Sequence, residues 1–179
     1  KIVLSILAGT TLARLHGAFP HARNIIRAMP NTPGQIGAGI TGWAAQHPPT
    51  EEDSLLVQEV LASLGKVVAV KESELDAVTA VSGSGPAYLF EFTAALREAA
   101  ETAGLSPETA HLLAVETIIG SALLMKESTL DPVELRKAVT SPGGTTQAAL
   151  ESFSHDGMRA MVARAVEAAT RRSRELAQM

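Results

Sequence analysis

The sequence predicts an α/β piece followed by an all-helical domain, with the change of character near residue 71. Up to about residue 70, short apolar runs bounded by Gly and Pro alternate with helical patterns, which implies a parallel or mixed α/β sheet. After Val70 no strand pattern appears, and helix starts marked by first-turn prolines recur instead. Composition agrees: 46% of the 179 residues are apolar but only 3% are aromatic. Ala, Leu and Val therefore carry the core, which favours closely packed helices over a β-sandwich.

Taken in order, Ile2 to Ala8 reads as a buried strand. Gly9-Thr-Thr then breaks into a short amphipathic helix with Leu12 and Leu15 on one face. Asn24 to Met29 is a second strand, ended by Pro30, and Ala38 to Ala45 a third, ended by His47-Pro-Pro. Thr50-Glu-Glu-Asp53 resembles a capping box. It opens a helix through Leu55, Leu56, Val60, Leu61 and Leu64, which Gly65 ends. Lys66 to Val70 is the fourth strand. Beyond it, Ser73 to Val81 reads as a helix, and Pro86 sits in the first turn of a longer one ending near Gly104. Ser106-Pro107-Glu108 combines an N-cap, a first-turn proline and an acidic residue, and predicts a helix to about Met125. Asp131-Pro132 starts another, and two more follow near Thr145–Phe153 and Gly157–Met179.

The helix from Pro107 to Met125 is apolar nearly all round, so it must be buried on every side. A helical domain of about 100 residues struggles to enclose one alone. Either its own neighbours wrap it, or a partner chain covers the remainder.

Several function classes are excluded. Formal charge is −4 with no long run of one sign. Arg171, Arg172 and Arg174 form the only basic cluster, and Glu167 and Glu175 lie within helical pairing distance of Arg171. That is a solvated helix face, and no nucleic-acid partner is expected. The absence of cysteine removes disulfide and thiolate chemistry. The histidines at 16, 21, 47, 111 and 155 lack metal-ligand spacing, so no metal is expected. Lys1 to Ala8 reads as a strand rather than a signal peptide. No apolar stretch reaches membrane-spanning length without Glu, His or Lys, so no membrane partner is expected. The chain begins inside a strand pattern without an initiator Met, and reads as part of something longer, soluble and intracellular.

Four motifs remain. Gly37-Ala-Gly39-Ile-Thr-Gly42 spells the dinucleotide fingerprint but lies within a strand pattern, whereas a phosphate loop must open a helix. Met29-Pro-Asn-Thr-Pro-Gly34 is a rigid polar loop at the carboxyl end of a strand, where open α/β sheets bind ligands. Its alternative is a plain structured turn. Val81-Ser-Gly-Ser-Gly-Pro86 joins two helices, with glycines suited to close backbone approach and Ser82 or Ser84 available as a cap. In Thr140-Ser-Pro-Gly-Gly-Thr-Thr146, Pro142 stops one helix, Gly143-Gly144 turns the chain, and the next helix starts at once. Its orphan N–H groups and positive dipole end suit a carboxylate or phosphate. An ordinary capped turn is the alternative.

Val81-Ser-Gly-Ser-Gly-Pro-Ala-Tyr88 and Ser141-Pro-Gly-Gly-Thr-Thr146 together, in this order and spacing, resemble pyrroline-5-carboxylate reductase. The similarity runs from Ile2 to Met179. The resemblance implies an α/β remnant of a Rossmann-type domain (1–71) followed by an all-α helical dimerisation and substrate-binding domain (72–179). It implies NADPH or NADH as cofactor and pyrroline-5-carboxylate as substrate, reduced to L-proline. It also implies a homodimer, or dimers assembled into a larger ring. By position it puts the substrate carboxylate on Ser141, Gly143, Gly144 and Thr145, and the Thr146 hydroxyl beside the ring nitrogen as the catalytic group. Glu72 falls near the substrate, with Glu127 a weaker candidate. Leu7, Ala8 and Gly9 lie beneath the nicotinamide, and Asn31 and Pro33 line the neighbouring loop. The opening strand of that domain and its glycine-rich turn are not among the 179 residues. Two further readings are a non-catalytic helical dimerisation module and a hydroxyacid-dehydrogenase relative. The latter family would show a catalytic Lys in its helical part, and neither Lys126 nor Lys137 sits in such a motif.

Overall fold

The computed structural model describes residues 1–178. Strands β1 (Ile2–Ser5), β2 (Asn24–Met29), β3 (Gly39–Ala45) and β4 (Gly65–Ala69) form one sheet in sequence order. β1 and β2 are parallel, β2 and β3 antiparallel, and β3 and β4 parallel. The helices are α1 (Leu12–Ala18), α2 (Glu51–Ala62), α3 (Leu75–Val78), α4 (Gly85–Thr102), α5 (Pro107–Glu127), α6 (Pro132–Ala138), α7 (Thr145–His155) and α8 (Met158–Gln178). No strand follows Ala69 among the described residues. The result is a small mixed sheet, the remnant of a Rossmann-like domain, followed by a helical region. The chain divides into two compact units, one of Lys1–Ala87 with the residues from Ala163 onward, the other of Tyr88–Val162.

In the first unit, β2 is the central element because it is apolar on both faces. Successive side chains alternate across a strand, so Ile25 and Ile26 point to opposite sides. Ile25 packs with Leu12, Leu15, Ala44 and Leu75. Ile26 packs with Ala28, Trp43, Val57 and Leu61. Each fully buried Ile contributes about 1.5–3 kcal/mol of transfer free energy. The Thr11 hydroxyl accepts the Arg14 N–H at the start of α1, and Thr50 accepts that of Asp53 at the start of α2.

Three expectations need correction. β1 stops at Ser5, three residues early: Ser5 Oγ accepts the Leu7 N–H at 3.3 Å, and Ile6 and Leu7 turn out to solvent. α2 ends at Ala62, so Leu64 lies outside it, and the helix buries Asp53, Val57 and Leu61 while exposing Leu55, Leu56 and Val60. The sequence carries two apolar stripes there. The buried one is in phase with Asp53, which is held by an ion pair with Arg23. The segment after β4 is not one regular helix either. A 3₁₀ turn (Glu72–Glu74) leads into α3, and a π-helical turn (Thr79–Gly83) follows. The Ser84 N–H closes that turn on Thr79 O, five residues back, at 2.8 Å. Ser82 donates back to Val78 O and does not cap α4. The segment seats closely on the sheet, with Val78 against Gly42 and Gly83 against Met29.

In the second unit, Ser106 caps α5 and its hydroxyl accepts the Thr109 N–H. The Glu108 carboxyl is held below its ordinary value by its own backbone N–H and then by Ser106. Burial on α5 is confined to Ala110 and Ala114. Leu112, Leu113, Ile119, Leu123, Leu124 and Met125 are all exposed. The reading in which α5 is wrapped by its own neighbours is therefore wrong. Among the described residues, α5 is the one helix long and apolar enough by length and composition to cross a membrane.

Candidate functional site

The turn from Thr140 to Thr146 is built by the ends of two helices. At the end of α6, Thr140 donates its hydroxyl to Arg136 O and its N–H to Lys137 O. Gly143 then adopts φ +70°, the left-handed conformation that glycine reaches without a side-chain clash. The Gly144 N–H donates to Ser141 O at 3.1 Å, closing the turn. Gly144 is the N-cap of α7 and offers no side-chain cap, and the first turn of α7 carries no acidic residue.

Three backbone amides, those of Thr145, Thr146 and Gln147, thus meet no acceptor among the described residues. The hydroxyls of Ser141, Thr145 and Thr146 make no hydrogen bond there either. Thr145 and Ser141 are exposed and Thr146 half-buried. Unpaired donors at a helix N-terminus, with no acidic residue in its first turn, favour an anion.

The other predicted residues lie in the first unit. β1 and β2 are parallel, with Ser5 opposite Arg27, so the loops that follow them leave the sheet at the same edge. Leu7, Ala8 and Gly9, and Asn31 and Pro33, therefore lie on loops at one end of the sheet. Leu7 and Ala8 are exposed, while Gly9 is buried against Leu176 of α8. Asn31 braces its own loop: its Oδ1 accepts the Ile40 N–H at 3.0 Å. Pro33 O accepts the Ala38 N–H. The Gly37–Gly42 string runs into β3 and opens no helix.

Glu72 is committed to the fold. One carboxylate oxygen accepts the Leu12 N–H at 2.6 Å, at the start of α1, and lies 3.4 Å from Arg27 Nη1. Arg27, with a side chain only 6% exposed, also reaches Asp76 at 3.8 Å. Asp76 in turn meets Ser173 and Arg174 of α8. This cluster escaped the reading of the sequence, though an arginine inside Asn24-Ile-Ile-Arg-Ala-Met29 signals it. A charge in a strand buried on both faces demands a partner. Gln147 was missed as well, although the third position of a helix is where a side chain reaches back to the cap.

The profile of the pyrroline-5-carboxylate reductase dimerisation family matches residues 72–176. The chain belongs to this family. It is 45% identical to the pyrroline-5-carboxylate reductase of Synechocystis sp. over 176 residues, which are 98% of this chain and 65% of that protein. It is 41% identical to the Pseudomonas aeruginosa reductase over 179 residues, 99% of this chain and 66% of the relative. Among solved structures, a pyrroline-5-carboxylate reductase from Coxiella burnetii superposes with a TM-score of 0.94 at 38% identity, over 99% of this chain and 66% of that one. The Plasmodium falciparum pyrroline carboxylate reductase with NADP bound gives 0.91 at 32%, over 99% and 70%. The chain spans about 65% of the length of these relatives. Membership sets aside the hydroxyacid-dehydrogenase reading. The matched dimerisation segment includes α5 and its exposed apolar face.

Proposed function

We propose that the chain supplies the substrate-binding and nicotinamide-facing parts of a pyrroline-5-carboxylate reductase, which converts the cyclic imine to L-proline in the last step of proline biosynthesis, in the cytoplasm. Residues 1–71 serve as the carboxy-terminal part of the NAD(P)-binding domain. Residues 72–179 serve as the helical domain for substrate and for a homodimer, from which a larger ring of dimers is built. Similarity to reductases along 98% of the chain carries this reading.

The Ser141–Thr145 turn grips the substrate carboxylate through the free amides of α7 and the Ser141 and Thr145 hydroxyls. Thr146 orients the imine nitrogen; a hydroxyl is too weak an acid to serve as the principal proton donor. Leu7 and Ala8 offer an exposed apolar floor that fits the face of a nicotinamide ring, with the Asn31–Pro33 loop beside it. NADPH or NADH, when bound, supplies the hydride. The chain's own contribution is to hold the imine carbon where that transfer occurs, and positioning of this kind can account for much of the rate. Glu72 acts on this arrangement indirectly, by fixing the start of α1 just after Leu7–Gly9.

The test is a chimera in which the amino-terminal third of the Synechocystis reductase precedes Lys1. It should consume reduced nicotinamide only when pyrroline-5-carboxylate is present. A folded chimera without that activity would refute the assignment.

A further inference from the structure

Gly143 donates its N–H to Gln147 Oε1 at 2.7 Å, and Gln147 Nε2 donates to Glu151 Oε1, also at 2.7 Å. In a capping box the third helical residue reaches back to the N-cap amide. Here Ser141 O already holds the Gly144 amide, so Gln147, third in α7, reaches one residue further to Gly143. The Gln147 amide has one orientation that satisfies both neighbours, because Gly143 needs an acceptor and the Glu151 carboxylate needs a donor. Glu151 lies one helical turn further on. It lines a cleft of about 340 Å³ between α6 and α7 that Arg136 and Lys137 also line.

We propose that Gln147 is a positioning residue for the anion turn: a neutral latch that fixes Gly143 while Glu151, which orients it, keeps its negative charge a full turn away from the free amides of Thr145 and Thr146. The inference rests on reading that turn as the carboxylate grip. A glutamate at position 147 would serve the capping geometry and the helix dipole equally well. It would also place a carboxylate beside the incoming one. Moving a unit charge one turn closer to a bound anion weakens binding by roughly tenfold at an effective dielectric near 20.

The experiment is an amide NMR titration of the 179-residue chain with L-proline as probe. In the unaltered chain L-proline should shift the amides of Gly144, Thr145 and Thr146, and the Gly143 amide should exchange slowly with solvent. Gln147→Leu should speed that exchange. The paired exchange Gln147→Glu with Glu151→Gln keeps the hydrogen-bond chain and the net charge and moves only the carboxylate. It should raise the L-proline Kd about tenfold at low salt, with the gap closing as salt rises. Unchanged affinity in the paired variant, or unchanged Gly143 exchange in Gln147→Leu, overturns the latch and leaves the carboxylate turn standing. No shift of the turn amides in the unaltered chain removes the turn's role and the latch together.

Discussion

Ser173 Oγ donates to Asp76 Oδ1 at 2.7 Å, linking residues 97 positions apart. The contact ties the carboxy-terminal stretch of α8 to α3, and Asp76 passes the tie on to Arg27 in β2. Arg174 and Glu72 complete a set of two cations and two carboxylates around it. Leu176 of the same helix lies against Gly9, so the loop that follows β1 is backed by the last turns of the chain.

Arg27→Ala should therefore destabilise the chain by about 3 kcal/mol, because it removes the buried cation that Glu72 and Asp76 share. The partial exposure of Glu72 keeps the figure at the low end of the range for buried pairs. Ser173→Ala should cost about 1 kcal/mol, one hydrogen bond. Urea midpoints compare the two. Equal shifts would show that the arginine is not the centre of the cluster.

The exposed leucines of α5 predict a dimer in solution. Leu123→Asp, at a position 55% exposed in the single chain, would hardly affect an isolated monomer. In a dimer it buries an unpaired charge, and should yield monomer or insoluble protein. Sedimentation equilibrium decides: a monomeric unaltered chain contradicts the interface.

In the chimera proposed above, Thr146→Val should lower kcat/KM by about 10- to 100-fold, equal to roughly 1.4–2.7 kcal/mol of transition-state stabilisation. Valine keeps the β-branched shape and removes the hydroxyl, so the fold and the cofactor KM should persist. Unaltered kinetics would leave Thr146 as a first-turn helix residue only.

Gly144→Val should instead act on substrate KM. A Cβ at this position would stand 2.5 Å from Ser141 Oγ and 3.1 Å from Ser141 O. The serine must swing away, and the turn that presents the amides opens. A rise in KM with kcat nearly intact is the expected signature, and an equal fall in kcat alone would argue against a binding role.

Among the described residues, the glycine string at 37–42 runs into β3 and opens no helix that could receive a pyrophosphate. The 179-residue chain by itself should bind NADPH weakly or not at all. Micromolar binding in calorimetry would contradict this.

Much of this architecture is legible in the sequence because local signals mark it. Thr50, Ser106 and Asp131 announce their helices by capping chemistry, and each does cap in the fold. The anion turn is legible for the same reason, since a helix stop, two glycines and a helix start follow one another without a gap. What was not legible depends on partners distant in sequence. The pairing of Arg27 with Glu72 and Asp76, and the burial of one α2 stripe over another, are settled by tertiary neighbours. The π turn at Thr79–Gly83 is likewise a compromise between helix geometry and the sheet beneath it, and no local pattern announces it.

The seating of that turn on the sheet restricts how the family can vary. A methyl added at Gly42 would lie 2.7 Å from Val78 Cγ1, and one added at Gly83 would lie 2.8 Å from Met29 Cε. The two couples are reciprocal, a strand glycine receiving a helix side chain and a helix glycine receiving a strand side chain. They differ in tolerance. The methionine end is unbranched and can retreat, whereas valine is stiff about its first torsion. A lineage can therefore enlarge Gly83 in a single step but can enlarge Gly42 only after Val78 has already become smaller. Packing at this seam dictates the order in which substitutions can accumulate.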